Sequence, residues 1–145
     1  MKIVLQRVIS ASVSVEGVVV GSIGRGYLLL VGVAPNDDHS VISRLALDVH
    51  KVRLMEDSAG KMGVSLKDAG GSILAVSQFT LLADFSKGNR PSFNGAAKPE
   101  IARPLFDQFV QELSTHLGQS VPKGVFGADM KVELVNDGPV TVVLE

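Results

Sequence analysis

The feature that most constrains the fold lies near the start of the chain, where residues 3 to 33 read as successive strand-like runs joined by short turns. Val13-Ser14-Val15 and Val18-Val19-Val20 flank Glu16-Gly17, the pattern of a tight hairpin. The stretch Gly21-Ser22-Ile23-Gly24-Arg25-Gly26 has the glycines of a phosphate loop without the G-x-G-x-x-G spacing. Tyr27-Leu28-Leu29-Leu30-Val31 follows it as a strand pattern, where a dinucleotide loop must open a helix. A sheet of this kind needs a core on at least one face. With 145 residues, 46% of them hydrophobic and 20% charged, one domain can build that core without staples.

Two helices are expected to cover it. Asn36-Asp37-Asp38 can cap the first, in which Val41, Leu45, Val49 and Val52 recur as one stripe. His39 and His50 on it have no partner at ligand spacing and read as surface or boundary histidines. The second helix carries Leu105, Phe109, Val110, Leu113 and Leu117 on one face, with Gly118 placed to stop it and Pro104 expected in its first turn or at a kink. Between the helices, Arg53-Leu54-Met55 reads as a short strand, Asp57 to Gly60 as a turn and Gly70-Gly71 as a break. The tail reads as two strands, Met130 to Val135 and Val140 to Leu144, joined by Asn136-Asp137-Gly138-Pro139. About eight or nine strands and two helices predict a single, mainly antiparallel α+β domain over residues 1–145.

No cysteine is present, which excludes disulfides, thiolate nucleophiles and cysteine zinc sites and suits a reducing compartment. Three scattered histidines form no ligand cluster, so neither a metal nor a cofactor is expected. Met1-Lys2 leads directly into a strand pattern with no secretory leader, and no apolar run approaches the roughly 20 residues of a membrane span. A cytoplasmic protein without a membrane partner is therefore expected. The net charge of −1 argues against a general DNA or RNA binder, but not against a protein that grips one end of an RNA. Lys87, Arg90, Lys98 and Arg103 share one window with only Asp84 and Glu100 as acids.

The chemistry-bearing stretch is Ser77-Gln78-Phe79-Thr80-Leu81, at the end of the apolar strand run Ser72 to Val76. Gln78 offers an amide and Thr80 a hydroxyl, and a continuing pleat would put both on one face with Phe79 on the other. A loop of about fifteen residues follows, Ala83 to Ala97; loops that long inside a compact domain tend to be functional. By residues alone, the chain is open to reading as an RNA-end binding module or as a structural dimer domain in which the Ser77-to-Leu81 run is only a strand edge.

Ser77-Gln78-Phe79-Thr80-Leu81 and Asn136-Asp137-Gly138-Pro139-Val140-Thr141 together resemble the two signature motifs of the D-aminoacyl-tRNA deacylases, the D-tyrosyl-tRNA deacylase family. Gln6-Arg7-Val8, Gly60-Lys61-Met62, Gly88-Asn89-Arg90-Pro91-Ser92-Phe93 and Phe126 to Met130 extend the resemblance along the whole chain, although Asn89 stands where the family has Arg or Lys. The resemblance implies a barrel-like core of mainly antiparallel sheet with two helices, assembled as a homodimer. It also implies an enzyme that edits in trans, cleaving the ester of D-aminoacyl-tRNA at the 3′ acceptor end and also removing glycine mischarged on alanine tRNA. Ser77 would line the substrate pocket. Gln78 and the backbone N–H groups of Phe79 and Thr80 would stand near the oxyanion. Thr80 is either the nucleophile or an orienting group while the substrate 2′-hydroxyl activates water. Gly138-Pro139, as a cis pair from the partner subunit, would exclude L side chains, with Arg7 anchoring that loop and Met130 packed against it. The residues alone also allow a surface arginine and a core methionine, and the rival within the same resemblance is a hydrolase of small D-amino-acid esters or peptides that dispenses with the tRNA.

Overall fold

The computed structural model describes residues 1–145. The opening strands are β1 (Lys2–Val15), β2 (Val18–Ile23) and β3 (Gly26–Gly32). Glu16 and Gly17 both take positive φ, 50° and 77°, which gives the hairpin the turn twist that matches its strands. Helix α1 (His39–Lys51) starts where the Asp38 carboxylate accepts the Val41 N–H. Its buried face is Ile42, Leu45, Ala46 and Val49, so the expected stripe is rotated by one position and Val52 is the C-cap. β4 (Met55–Glu56) and β5 (Met62–Val64) form a separate two-stranded ribbon. Then come β6 (Ser72–Ser77), a 3₁₀ turn (Phe79–Leu82), helix α2 (Pro99–Leu117) and β7 (Lys131–Leu144).

Two expectations are corrected here. Pro104 lies in the second turn of α2 rather than the first; Pro99 opens the helix, and the helix runs through Pro104. The tail is one 14-residue strand rather than two, which brings the count to seven strands.

β1 is the hub, pairing antiparallel with β2, β3 and β7, while β3 and β6 pair in parallel from Gly26↔Ser72 to Val31↔Ser77. β3 is buried on both faces, which explains its unbroken apolar run. Tyr27, Leu29 and Val31 join the larger core, where Phe106 and Phe109 of α2 and Leu45 of α1 lie on the same face of the sheet. Leu28 joins Leu74, Val76, Val8, Ala11 and Val13 in a smaller core on the other face. Each fully buried side chain of this size contributes about 1.5–3 kcal/mol. The sheet curls around the smaller core: a Cβ on Gly21 of β2 would stand 3.1 Å from Leu74 of β6 and 3.3 Å from the Lys123 carbonyl. Residues 122–124 complete the curl by exchanging backbone hydrogen bonds with Ala75. The result is an α+β half-barrel with its two helices on one side.

Candidate active site

β6 makes its last ladder contact when the Gln78 N–H donates to the Val31 carbonyl at 2.7 Å. There the pleat stops. Gln78 turns to φ −146°, ψ 78°, and the chain winds into the 3₁₀ turn. Gly32 makes room for it, since a Cβ there would lie 3.0 Å from the Gln78 carbonyl oxygen and 3.4 Å from Leu81 Cβ. The expected shared strand face of Gln78 and Thr80 therefore does not exist. The turn brings the two together instead: the Gln78 amide nitrogen donates to Thr80 Oγ1. Phe79 and Thr80 begin the turn, and their N–H groups meet no acceptor in the chain.

Beside this strand end opens a cleft of about 400 Å³, lined by Ser77, Gln78, Phe79, Phe93, Phe126 and Met130 among mainly apolar neighbours. Phe79 is 56% exposed and packs edge-on against Phe93, ring centroids 5.0 Å apart. Thr80 is exposed and touches the cleft only through Gln78. Phe93 and Phe126 were not singled out from sequence as site residues, although both lie in the family-like segments. Gly32 was missed altogether, because a strand-end glycine announces no role until its neighbour in space is known.

The second group lies elsewhere. Arg7 is 2% exposed; its Nη1 donates to the Leu54 carbonyl at 2.8 Å, its Nε to the Asp137 carbonyl at 3.3 Å, and its Nη2 pairs with Glu56 at 3.3 Å. Opposite it, β7 pairs Asn136 with Val8 and Thr141 with Gln6, so residues 137–140 bulge out of the ladder. The Asn136 amide closes the base of this bulge by donating to the Arg7 and Val140 carbonyls at 2.9 and 3.1 Å. Gly138-Pro139, joined by a cis peptide, is its exposed apex. The Tyr27 hydroxyl, facing Arg7 across the β1–β3 ladder, is buried without a hydrogen-bond partner; burial raises its pKa, opposed by its Leu54 backbone neighbour and the Arg7 charge.

Ser77, Gln78, Phe79 and Met130 thus share one cleft, with Thr80 held to it by Gln78. Arg7, Gly138 and Pro139 form a second cluster that contributes no residue to that cleft. Met130 does not accompany them; its sulfur lies against Gly124, 2.5 Å from where a Cβ would be. The histidines are remote from both groups: His39 contacts Gln108, and His50 stacks on His116. No group of three or more His, Asp or Glu side chains is arranged to hold a metal ion. No helix is long and apolar enough to cross a membrane.

The fold is a half-barrel that presents a strand-end cleft with two free backbone donors beside it, and its class, a hydrolase of the deacylase type, is given by comparison with known proteins. A sequence model described as D-Tyr-tRNA(Tyr) deacylase matches residues 4–145, and the chain belongs to that family. A D-aminoacyl-tRNA deacylase from Chromobacterium violaceum is 55% identical over 145 residues, covering 100% of this chain and 97% of the relative. Among solved structures, one titled c-Myc DNA Unwinding Element Binding Protein matches with a TM-score of 0.94 and 39% identity, over 100% of this chain and 98% of its own. Another, titled a probable eukaryotic D-amino acid tRNA deacylase, gives 0.84 at 18% identity, over 99% and 97%, and supports the fold alone.

Proposed function

We propose that this chain hydrolyses the ester between a D-amino acid and the 3′-terminal ribose of tRNA, releasing free amino acid and tRNA. Family membership gives the reaction class, and the pair of free N–H donors at Phe79, which lines the cleft, and at Thr80, the next residue of the turn, carries the reading for this chain. An aminoacyl ester needs little further activation, so catalysis reduces to positioning the ester and stabilising the tetrahedral oxyanion. Two preorganised donors suit that task, each worth about 10²–10³ in rate. Gln78 holds the turn that carries them through its bond to Thr80. Ser77 and Phe79 line the pocket for the ester and terminal adenosine.

Thr80 orients rather than attacks. Its only side-chain partner is an amide, and no imidazole or carboxylate is hydrogen-bonded to it as a base. The vicinal 2′-hydroxyl of the substrate then activates the water.

Chirality is read by exclusion, since a binding preference of about 1–3 kcal/mol would be too leaky against abundant L-aminoacyl-tRNA. The exposed Gly138-Pro139 bulge, tied to Arg7, is the filter. Because it lies outside the cleft of its own chain, a second copy delivers it, and the working unit is a homodimer. Met130, on the cleft wall, is where the incoming bulge packs. A filter that reads only side-chain direction passes glycine, so glycyl-tRNA, including glycine mischarged on alanine tRNA, is a second substrate.

The test is deacylation of D-tyrosyl-, L-tyrosyl- and glycyl-tRNA under identical conditions. Rapid loss of the D and glycyl forms alone is expected. Equal indifference to all three would reduce the cleft to a binding site.

A further inference from the structure

The Arg7 guanidinium is held from two sides. On the bulge side its Nε meets Asp137 twice, at the carbonyl oxygen and at the carboxylate, each at 3.3 Å. Both acceptors travel with the bulge, so they join Arg7 to it without deciding where the pair sits. The other side is the β4–β5 ribbon. Arg7 Nη1 donates to the Leu54 carbonyl at 2.8 Å, and Nη2 donates to the Glu56 carboxylate at 3.3 Å.

The ribbon is a fixed reference because it is anchored. Met55, between those two residues, is fully buried in the larger core, and Leu54 and Val64 pack against that core. Asp57 closes the ribbon's turn: its N–H donates to the Lys61 carbonyl at 2.8 Å, and its carboxylate accepts the Ala59 and Lys61 N–H groups, both at 2.9 Å. On that element the Glu56 carboxylate has one partner, Arg7. The nitrogen it holds is also the one that faces the bulge apex. A Cβ on Gly138 would stand 3.0 Å from Arg7 Nη2. A buried guanidinium settles where its charge is paired. With Glu56 and Asp137 both present the pull is two-sided; without Glu56 only Asp137 attracts it, and the guanidinium follows the bulge instead of locating it.

We propose that Glu56 is a positioning residue for selectivity between D and L substrates: from the ribbon it fixes the Arg7 guanidinium, and through Arg7 the place of Gly138-Pro139. This rests on the reading of that bulge as the chiral filter of a deacylase. Glu56 lines no part of the cleft. Its side chain is 40% exposed, so the pair adds little to stability, but steric exclusion is sensitive to displacements of about 1 Å.

The test has two readouts in Glu56→Gln and Glu56→Ala. The first is exchange of the Arg7 Nε–H with water by ¹H–¹⁵N NMR, the signal being assigned by its loss in Arg7→Lys. It needs no turnover, and exchange about fivefold faster in Glu56→Ala is expected. The second is single-turnover deacylation of L- and D-tyrosyl-tRNA. The L-to-D rate ratio is expected to rise about fivefold in Glu56→Ala and less in Glu56→Gln, which keeps a neutral acceptor, with the D rate held within about twofold. Tyr27→Phe removes a neighbouring buried hydroxyl that makes no hydrogen bond and is expected to move neither readout. A merely structural Glu56 would lower the urea midpoint and slow both substrates together with their ratio unchanged, which overturns the proposal. Unchanged Nε–H exchange, or an equal shift in Tyr27→Phe, overturns it as well. Faster exchange in a protein that spares D-tyrosyl-tRNA would overturn the deacylase and leave the Glu56–Arg7 clamp; a D-selective wild type whose ratio neither variant alters would do the reverse.

Discussion

Thr80 accepts a hydrogen bond from the Gln78 amide, and no imidazole or carboxylate is bonded to its hydroxyl as a base. Removing that hydroxyl should leave the reaction largely intact: Thr80→Ala is expected to keep most of the single-turnover rate on D-tyrosyl-tRNA in a rapid-quench assay. A rate lost by about 10³ or more, with an acyl-enzyme trapped in wild type, would make Thr80 the nucleophile. Arg7 is the opposite case, a buried charge that joins three residues from two separate stretches of chain, Leu54 and Glu56 on one side and Asp137, through both its carbonyl and its carboxylate, on the other. Arg7→Ala should cost about 2–4 kcal/mol in urea unfolding. The figure is held down because Glu56 and Asp137 are 40% and 28% exposed and water can replace the guanidinium. The same variant should hydrolyse L-tyrosyl-tRNA faster relative to the D form, with Arg7→Lys intermediate because an ammonium lacks the planar fork. Composition and periodicity could not have found this residue. A lone arginine on an alternating strand reads as surface, and only the bulge of β7 across from it explains its burial.

At the scale of elements, what was local was legible and what was not local was misread. Both helices and the β1–β2 hairpin follow from caps, glycines and periodicity within a few residues. Asn136-Asp137-Gly138-Pro139 has turn chemistry and reads as the joint of two tail strands, yet a hairpin would require the flanking runs to pair with each other. Both instead pair with β1, which at 14 residues is long enough to serve them in sequence, and the turn-like residues become the bulge. The β3–β6 parallel pair is likewise invisible locally, although it is what carries Ser77 to the cleft. Its tightest point is Gly26, where a Cβ would fall 1.8 Å from the Ser72 carbonyl oxygen. Gly26→Ala is expected to cost about 3 kcal/mol or more in urea unfolding and to lower turnover through the displaced strand end. Between the helices, His50 stacks on His116 with ring centroids 5.2 Å apart. Its pKa is lowered by partial burial first, then by His116 and by Lys67 and Lys51, with Asp68 opposing. On acidification the unfolded chain therefore binds this proton first, near pH 6.5, and stability is lost progressively as the pH falls through and below that value. His50→Gln should flatten that part of the stability–pH curve.

The whole molecule leaves one long edge open. β7 pairs only with β1, and beside its bulge Ile9, Val135 and Val143 are 56%, 52% and 55% exposed. An unpaired edge with apolar side chains invites a second copy of the same surface, which is how a two-fold dimer closes. If each copy lends its bulge to the other's cleft, a filter defect and a cleft defect on different chains will complement. Arg7→Ala keeps a working cleft but a loosened bulge, whereas Gln78→Ala keeps the bulge and loses the cleft. Co-refolded with Gln78→Ala chains in about tenfold excess, nearly every Arg7→Ala cleft then faces an intact bulge. Hydrolysis of L-tyrosyl-tRNA per Arg7→Ala chain should fall about tenfold, while D-tyrosyl-tRNA hydrolysis per Arg7→Ala chain is kept. A filter acting within its own chain predicts no change in either rate, because no cleft would see the added bulge. Size-exclusion chromatography of the mixture must show dimers for the comparison to hold, and a monomer that discriminates D from L would exclude the exchange outright.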